Sequence, residues 1–201
     1  MCRDRQDSPL QIVLIRHGRA PSNDARRYLG RSDEPLSPAG VEQAAGLARR
    51  GLPMPDLVFT SPLRRCRQTA LIVFPDREPV VVPQFVELDF GRFEGRTHDE
   101  LTAQEPAYQA WLDSRGAGAI PSGETQAGLL ARCREGFAAM IEQSRGAQTI
   151  AAVVHSGVIM ALLAQFAHPA RAFYDCFIAP CGVVLCEWDG SALRVKGGDL
   201  K

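Results

Sequence analysis

Two histidines stand directly after short apolar runs of the sequence. His17 follows the run QIVLI and Arg16, and His155 follows the run TIAAVV. Arg65 lies a few residues after a third apolar run, DLVFT, and Glu87 lies in the segment after a fourth, PVVV. In open α/β sheets, functional groups collect at the carboxyl ends of the strands. If the four runs are parallel strands, these side chains face one edge of one sheet.

Transfer of a phosphoryl group is the chemistry that this set of residues suits. Guanidinium groups such as those of Arg16 and Arg65 carry a permanent charge and bind phosphate oxygens in pairs. A neutral imidazole can attack phosphorus and become phosphohistidine, while a second histidine stabilises the charge that develops on the oxygens. Glu87 is the best placed group to protonate the leaving alkoxide and later to take a proton from water. The residues alone leave open which histidine is the nucleophile.

Composition argues against several other classes of protein. The 201 residues include 23 basic and 23 acidic ones, so the formal net charge is zero and neither a nucleic acid nor an anionic membrane is an expected partner. No apolar run approaches the roughly 18 residues of a membrane span, and the start MCRDRQDSPL lacks the apolar centre of a signal peptide. We expect a cytoplasmic protein. A homodimer is compatible with the sequence, which does not determine the oligomeric state.

The cysteines do not indicate a metal site. All six are scattered without a CxxC pair, which favours reduced thiols: Cys2, Cys66, Cys133, Cys176, Cys181 and Cys186. The last three recur at five-residue intervals, but zinc ligands usually come as closely spaced pairs with histidines nearby. We therefore expect reduced thiols and no zinc site at these cysteines. We also expect no cofactor.

Alternation of strands and helices predicts a single α/β layered domain with a mostly parallel sheet. Ser-Pro pairs predict helix starts in which Ser37 and Ser61 are the N-caps. Thr97 and Glu100 have the spacing of a capping box, and a long amphipathic helix is predicted over 124–143. The runs GVVLCEW and ALRVK flank an Asp-Gly pair and predict a terminal hairpin.

Four fragments in order resemble the histidine phosphatase, or phosphoglycerate mutase-like, superfamily: LIRHGRAPSN, SPLRRCRQTA, ELDFGRFEG and VVHSGVIMALL. The resemblance implies a three-layer α/β/α sandwich and an enzyme that acts on a small phosphorylated metabolite without a metal. It implies that His17 is the phosphorylated nucleophile and that Glu87 is the acid and base. It also implies a phosphate pocket formed by Arg16, Asn23, Arg65 and His155.

Further fragments are similar to the subgroup of alpha-ribazole phosphatases, namely YLGRSDEPLSPAG, PAYQAWLDS and AIPSGET. In that interpretation residues 122–125 form part of a substrate loop, and a cap-like insertion covers 97–125. The alternatives are a broad-specificity or sugar-phosphate phosphatase, a phosphoglycerate mutase and a non-catalytic phospholigand-binding protein. The chain lacks the basic insert of cofactor-dependent mutases, which favours a phosphatase. Neither His17 nor Glu87 is lost, which argues against a binding protein.

Two positions depart from the pattern of the resembled family. Many members have Glu and Thr after Arg-His-Gly, where this chain has Arg19 and Ala20. A hydroxyl near the phosphate is therefore missing, and Arg19 either adds an anion contact or faces solvent. Successive residues of a helix point about 100° apart, so Arg64 and Arg67 point away from the side that Arg65 faces. We expect Arg64 and Arg67 to be surface charges.

Overall fold

A six-stranded sheet forms the centre of the fold. The computed structural model describes residues 8–200. The strands are β1 Leu10–Arg16, β2 Leu57–Thr60, β3 Val80–Val81, β4 Thr149–Val154, β5 Val183–Trp188 and β6 Leu193–Gly198. They lie side by side in the order β3-β2-β4-β1-β5-β6. Each of the predicted apolar runs forms one of these strands, although PVVV contributes only two residues to β3.

In the part of the chain that the structure describes, seven α-helices accompany the sheet. They are α1 Pro21–Asp24, α2 Pro38–Ala48, α3 Arg64–Val73, α4 His98–Gln104, α5 Pro106–Asp113, α6 Gln126–Gln143 and α7 Ser156–Phe166. Short 3₁₀ helices span Pro83–Phe85, Gly91–Phe93 and Phe173–Cys176. Within residues 8–200, no helix combines the length and the apolarity needed to cross a lipid bilayer.

The sheet is mostly parallel, as the sequence predicts. Strands β3, β2, β4 and β1 run parallel, whereas β5 and β6 are antiparallel to their neighbours and form the predicted hairpin. β1 lies in register with β4, with Ile12 opposite Ile150 and Arg16 opposite Val154. Because parallel strands end at the same edge, the residues that follow β1, β2 and β4 meet there.

Side chains of the central strands alternate between two cores. On β1, Ile12 and Leu14 face a core shared with α6 and α7, whereas Val13 and Ile15 face a core shared with α2 and α3. Strands covered on both faces must be apolar at every position, which explains the uninterrupted apolar runs. Helices therefore cover both faces of the sheet, and the three-layer α/β/α architecture is confirmed.

Two of the predicted helix starts are confirmed. The Ser37 hydroxyl accepts from the Gly40 N–H at 3.2 Å at the start of α2. At the start of α4, the Thr97 hydroxyl accepts from the Glu100 N–H at 3.2 Å, and the Glu100 carboxylate accepts from the Thr97 N–H at 2.9 Å. These bonds satisfy backbone donors that have no partner inside the helix.

The prediction that Ser61 is an N-cap is wrong. Helix α3 begins at Arg64, and its N-cap is Leu63. The Ser61 hydroxyl accepts from the Leu63 N–H at 3.3 Å and lies 2.7 Å from Nε2 of His155. His155, which is distant in sequence, therefore forms a hydrogen bond with the hydroxyl that the local pattern assigned to the helix start.

Residues 97–125 contain α4, α5 and the loop that leads to α6. Their apolar side chains form a third cluster, separate from the two cores of the sheet: Leu101, Tyr108, Trp111 and Ile120, with Phe93. Such a separate cluster suits the predicted cap. The division into one domain with a cap-like insertion stays a prediction.

Five cysteines are buried with free thiols, namely Cys66, Cys133, Cys176, Cys181 and Cys186. Cys2 lies outside the described residues. Among residues 8–200, no three side chains of His, Cys, Asp or Glu are grouped so that they could hold a metal ion. The spacing of the last three cysteines therefore gains no support as a zinc site in this part of the chain.

Candidate active site

The carboxyl edge of the parallel strands brings the predicted site residues together. Arg16 is the last residue of β1, and the N–H of the following His17 donates to Val154 O of β4 at 2.9 Å. His155 follows β4 directly, and Ser61 follows β2. The rings of His17 and His155 meet edge to face, with centroids 5.0 Å apart. The two histidines of the sequence therefore share one site.

His17 is buried and neutral. Its Nδ1 lies 2.6 Å from Gly18 O. A carbonyl only accepts hydrogen bonds, so the single proton of the neutral imidazole resides on Nδ1. Burial lowers the pKa of His17 well below its usual range, and the charges of Arg65 and Arg16 lower it further. Nε2 therefore carries the free electron pair that a nucleophile requires.

Arg65 lies between the two histidines and is fully buried. Its Nε donates to His17 Nε2 at 3.2 Å, and Nη2 lies 3.3 Å from His155 Nδ1. The carbonyls of Ser32 and Gly30 accept from Nη1 and Nη2, each at 2.7 Å. These contacts fix the planar guanidinium in one orientation. On the same helix Arg64 and Arg67 are exposed, which confirms that Arg65 alone of the three turns inward.

Arg65 and Ser61 together fix the tautomer of His155. Burial lowers the pKa of His155 well below its usual range, and nearby Arg65 lowers it further, so this ring is also neutral. Arg65 Nη2, which can only donate, lies 3.3 Å from His155 Nδ1, so Nδ1 accepts and the proton of this ring resides on Nε2. His155 Nε2 therefore donates to the Ser61 hydroxyl at 2.7 Å. The sequence reasoning assigned no role in the site to Ser61, although its place directly after β2 is the signal that identified the histidines.

Glu87 is a buried carboxyl group, with 7% of the residue exposed. The Leu88 N–H donates to its Oε1 at 2.8 Å, and the Gly157 N–H donates to its Oε2 at 3.2 Å. Burial raises the pKa of Glu87, and these bonds offset the shift only in part. A carboxyl group with a raised pKa keeps its proton at higher pH and suits a general acid.

Arg16 and Asn23 offer unused hydrogen-bond donors beside Glu87. Arg16 Nη1 donates to Ile178 O at 2.7 Å, but its buried Nε has no hydrogen-bond partner among the described residues. The Asn23 side-chain oxygen accepts from the Ala20 N–H at 3.0 Å, which leaves the amide nitrogen of Asn23 as a donor for another partner. Both residues line the same cleft as Glu87. The structure thus places all six predicted site residues together.

A cleft of about 300 Å³ adjoins these residues. Six aromatic side chains contribute to its walls: Tyr28, Phe90, Trp111, Phe173, Tyr174 and Phe177. Two polar atoms of its lining residues, Trp111 Nε1 and Ser156 Oγ, are buried without a hydrogen-bond partner in the part of the chain that the structure describes. Trp111 belongs both to the third apolar cluster and to this wall.

Arg19 forms an ion pair with Asp24, at 2.6 Å between Arg19 Nε and the carboxylate, and 39% of its side chain is exposed. Ala20 is fully buried and precedes α1. The segment 122–125 does not contribute to the walls of the aromatic cleft among the described residues. Its role as a substrate loop stays a prediction.

Gly157 gives Glu87 the space it occupies. A Cβ atom at this position would lie 2.3 Å from Glu87 Oε1. We therefore expect Gly157→Ala to displace the carboxyl group and to lower kcat of the predicted phosphoryl transfer by about 10- to 100-fold. Gly46→Ala is the matched control, because its added methyl would contact only the end of Arg49, at 3.9 Å. Steady-state kinetics and melting temperatures of both variants test this, and wild-type kinetics of Gly157→Ala would contradict it.

Comparison with known proteins agrees with this geometry. The histidine phosphatase superfamily (branch 1) matches residues 12–198. The adenosylcobalamin/alpha-ribazole phosphatase of Escherichia coli strain K12 is 33% identical over 171 residues, which are 82% of this chain and 83% of that protein. A probable phosphoglycerate mutase, GpmB, of Serratia proteamaculans strain 568 is 35% identical over 161 residues, 77% of this chain and 73% of that protein.

The solved structures include a similar fold. The crystal structure of a proposed alpha-ribazole-5′-P phosphatase of Escherichia coli K-12 superimposes with a TM-score of 0.84 and 29% identity. The match covers 95% of this chain and 96% of that one. Together with the family match, this likeness confirms the resemblance seen in the sequence. The chain belongs to the histidine phosphatase superfamily and is a phosphatase of that superfamily.

Proposed function

We propose that this phosphatase hydrolyses phosphomonoesters through a phosphohistidine on Nε2 of His17, without a metal. The observation that carries the proposal is the hydrogen bond between His17 Nδ1 and Gly18 O, which places the proton on Nδ1 and leaves Nε2 as the nucleophilic atom. Arg65 is within hydrogen-bond distance of that nitrogen and of His155. The guanidinium of Arg65 therefore lies where the oxygens of a phosphate attacked by His17 must lie.

The first step forms the phosphoenzyme. His17 Nε2 attacks phosphorus while the bond from phosphorus to the alcohol oxygen breaks. Protonated Glu87 gives its proton to the departing oxygen, so the products are an alcohol, phosphohistidine and the Glu87 carboxylate. Arg16, Asn23, Arg65 and His155 stabilise the charge on the phosphoryl oxygens.

The second step returns the enzyme to its starting state. The Glu87 carboxylate accepts a proton from water, and the oxygen of that water attacks phosphorus. The phosphorus–nitrogen bond breaks, inorganic phosphate leaves, and His17 regains its free electron pair. Glu87 ends the cycle protonated, so no external acid or oxidant is consumed.

We infer that the leaving alcohol carries an aromatic ring system and that alpha-ribazole 5′-phosphate is a substrate. The six aromatic residues of the cleft suit a flat ring system such as a benzimidazole, because stacked and edge-to-face contacts favour such rings. The buried, unpaired Trp111 Nε1 and Ser156 Oγ supply hydrogen bonds that a plain hydrocarbon cannot use. The similarity to the adenosylcobalamin/alpha-ribazole phosphatase supports the same choice.

Phosphate release from three substrates tests this proposal, with a chelator present throughout. The substrates are alpha-ribazole 5′-phosphate, p-nitrophenyl phosphate and 3-phosphoglycerate. We expect hydrolysis that survives the chelator and a kcat/KM at least 10-fold higher for the first substrate. Comparable slow hydrolysis of all three would contradict the substrate and leave a broad-specificity phosphatase. Conversion of 3-phosphoglycerate to 2-phosphoglycerate without phosphate release would favour a mutase, as the likeness to GpmB suggests.

The indole of Trp111 allows a sharper test of the substrate. Trp111→Phe keeps an aromatic ring in the cleft but removes the Nε1–H donor. We expect KM for alpha-ribazole 5′-phosphate to rise about 5- to 150-fold, since a lost hydrogen bond to a buried partner costs about 1–3 kcal/mol. Trp188→Phe is the matched control, because Trp188 packs on Phe137 and Phe166 away from the cleft. An unchanged KM in Trp111→Phe would contradict this role of the indole.

A further inference from the structure

A partly buried arginine outside the predicted site contacts the segment that carries Glu87. Arg132 lies on α6, and 15% of its side chain is exposed. The guanidinium has five N–H donors, and all five are used. Three donate to the backbone carbonyls of Gln84, Val86 and Glu87, and two donate to the carboxylate of Glu124.

The carbonyl contacts hold the chain just before the acid side chain. The distances are 2.7 Å from Nη1 to Gln84 O and 3.1 Å from Nη2 to Glu87 O. β3 ends at Val81, so no strand ladder satisfies the carbonyls of residues 84–87. Without Arg132, these carbonyls lose partners and the backbone of Glu87 loses a fixed position.

The other side of the guanidinium is held by Glu124. Its two carboxylate oxygens accept from Arg132 Nε and Nη2, each at 2.7 Å. Burial alone would raise the pKa of Glu124, but the hydrogen bonds and charge of Arg132 lower it overall. The Glu124 N–H also donates to Asp89 O at 2.9 Å, which ties the pair to the segment that follows Glu87. Arg132, which lies on α6, is thus oriented by the carboxylate of Glu124.

Close packing of α6 supports this arrangement. Phe85 is fully buried, and a Cβ atom at Gly136 would lie 2.8 Å from its ring. Only glycine at 136 permits this approach of the helix to the segment 83–85. Helix α6 therefore contacts the segment that carries Glu87 in two ways, through apolar packing on Phe85 and through the hydrogen bonds of Arg132.

From these contacts we propose that Arg132 is a positioning residue that places Glu87 for proton transfer to the leaving group. The inference rests on the proposed function, since it acts through the acid role of Glu87. Proton transfer needs the carboxyl group within hydrogen-bond distance of the leaving oxygen, and a misplacement of about 1 Å can cost about 100-fold in rate. The cost falls on substrates whose alcohol is a poor leaving group, because an activated phenol departs without protonation.

Arg132→Lys tests the proposal because it keeps the charge but replaces five fixed donors by three at a single nitrogen. We expect kcat on an alkyl phosphate such as glycerol 2-phosphate to fall about 10- to 100-fold, and kcat on p-nitrophenyl phosphate to fall less than 5-fold. The basic limb of the pH–rate profile on the alkyl substrate should shift. Arg134→Lys is the matched control, since Arg134 is exposed on the same helix and contacts Gln165.

Glu87→Gln is measured beside it as the reference. If Glu87→Gln is selective for the leaving group and Arg132→Lys is not, the inference fails and the acid role stands. If Glu87→Gln lacks that selectivity, the acid role fails and the inference falls with it. Equal loss on both substrates in a folded Arg132→Lys, judged by its melting curve, overturns the inference as well. Should Arg132→Lys not fold, Glu124→Gln is the test: a selective loss supports the inference, and wild-type kinetics overturn it.

Discussion

Replacing His17 by alanine is expected to lower kcat by about 10⁴-fold or more on every phosphomonoester, because the variant lacks the atom that accepts the phosphoryl group. Neither His155 nor Arg65 can substitute, since Arg65 is a cation and His155 Nδ1 lies against Arg65 Nη2. Activated and unactivated substrates should suffer alike. This sets the variant apart from changes to the acid.

Two measurements check this expectation. Steady-state kinetics give the loss of rate, and rapid quench with labelled substrate shows whether a base-stable, acid-labile phosphoenzyme forms. The wild type should form it and His17→Ala should not. His168→Ala is the control, because His168 is exposed and lies outside the site. A His17→Ala protein that retains more than about a tenth of the activity would rule out the proposed nucleophile.

Replacing Glu87 by glutamine is expected to lower kcat on alkyl phosphates by about 10²- to 10⁴-fold, the usual contribution of a general acid. On p-nitrophenyl phosphate the loss should stay below about 10-fold, since that leaving group needs little protonation. Glutamine keeps the shape of the carboxyl group and can still accept from one of the Leu88 and Gly157 N–H groups through its one oxygen. A similar loss on both substrates would count against the acid role.

The pH dependence has a definite sign. Burial raises the pKa of Glu87, so wild-type activity on alkyl phosphates should fall as pH rises through that pKa. Glu87→Gln should lack this basic limb. Because both histidines have lowered pKa values, the acid limb should lie well below the ordinary histidine value of about 6.5.

The raised pKa also affects stability. A group whose folded pKa is raised stabilises the fold below its unfolded pKa, about 4.3 for glutamate, and this contribution is lost as pH rises through the folded pKa. At pH 8 the buried carboxylate therefore destabilises the wild type, and Glu87→Gln should melt at a higher temperature. At pH 4 the difference should vanish. Melting curves of both proteins at the two pH values show whether ionisation of buried Glu87 destabilises the fold.

Much of the fold could be predicted because it follows from local patterns. Continuous apolar runs such as TIAAVV belong to strands that are covered on both faces, and the structure covers β4 in that way. Ser37 and Thr97 cap helices as their spacing predicts, because an N-cap needs only a short-range hydrogen bond. The same pattern failed at Ser61, where a distant imidazole competes for the hydroxyl.

The sequence by itself predicted the set of candidate catalytic groups. His17 and His155 are each placed by the end of a strand, and parallel strands must end at one edge. The resemblance to the superfamily then predicted that His17, and not His155, is the nucleophile, and it added Asn23 to the predicted site. The homodimer and the cytoplasmic location stay predictions, as does the substrate loop at 122–125.

Tertiary structure alone decided the chemical state of these groups. The proton of His17 is placed by Gly18 O, the pKa of Glu87 is raised by burial, and Arg132 reaches Glu87 from 45 positions away. Each of these effects depends on atoms that approach within about 3 Å or on the exclusion of water. Sequence patterns report neighbours along the chain and exposure along one element. They carry no information on such approaches between elements, which exist only once the layers have packed.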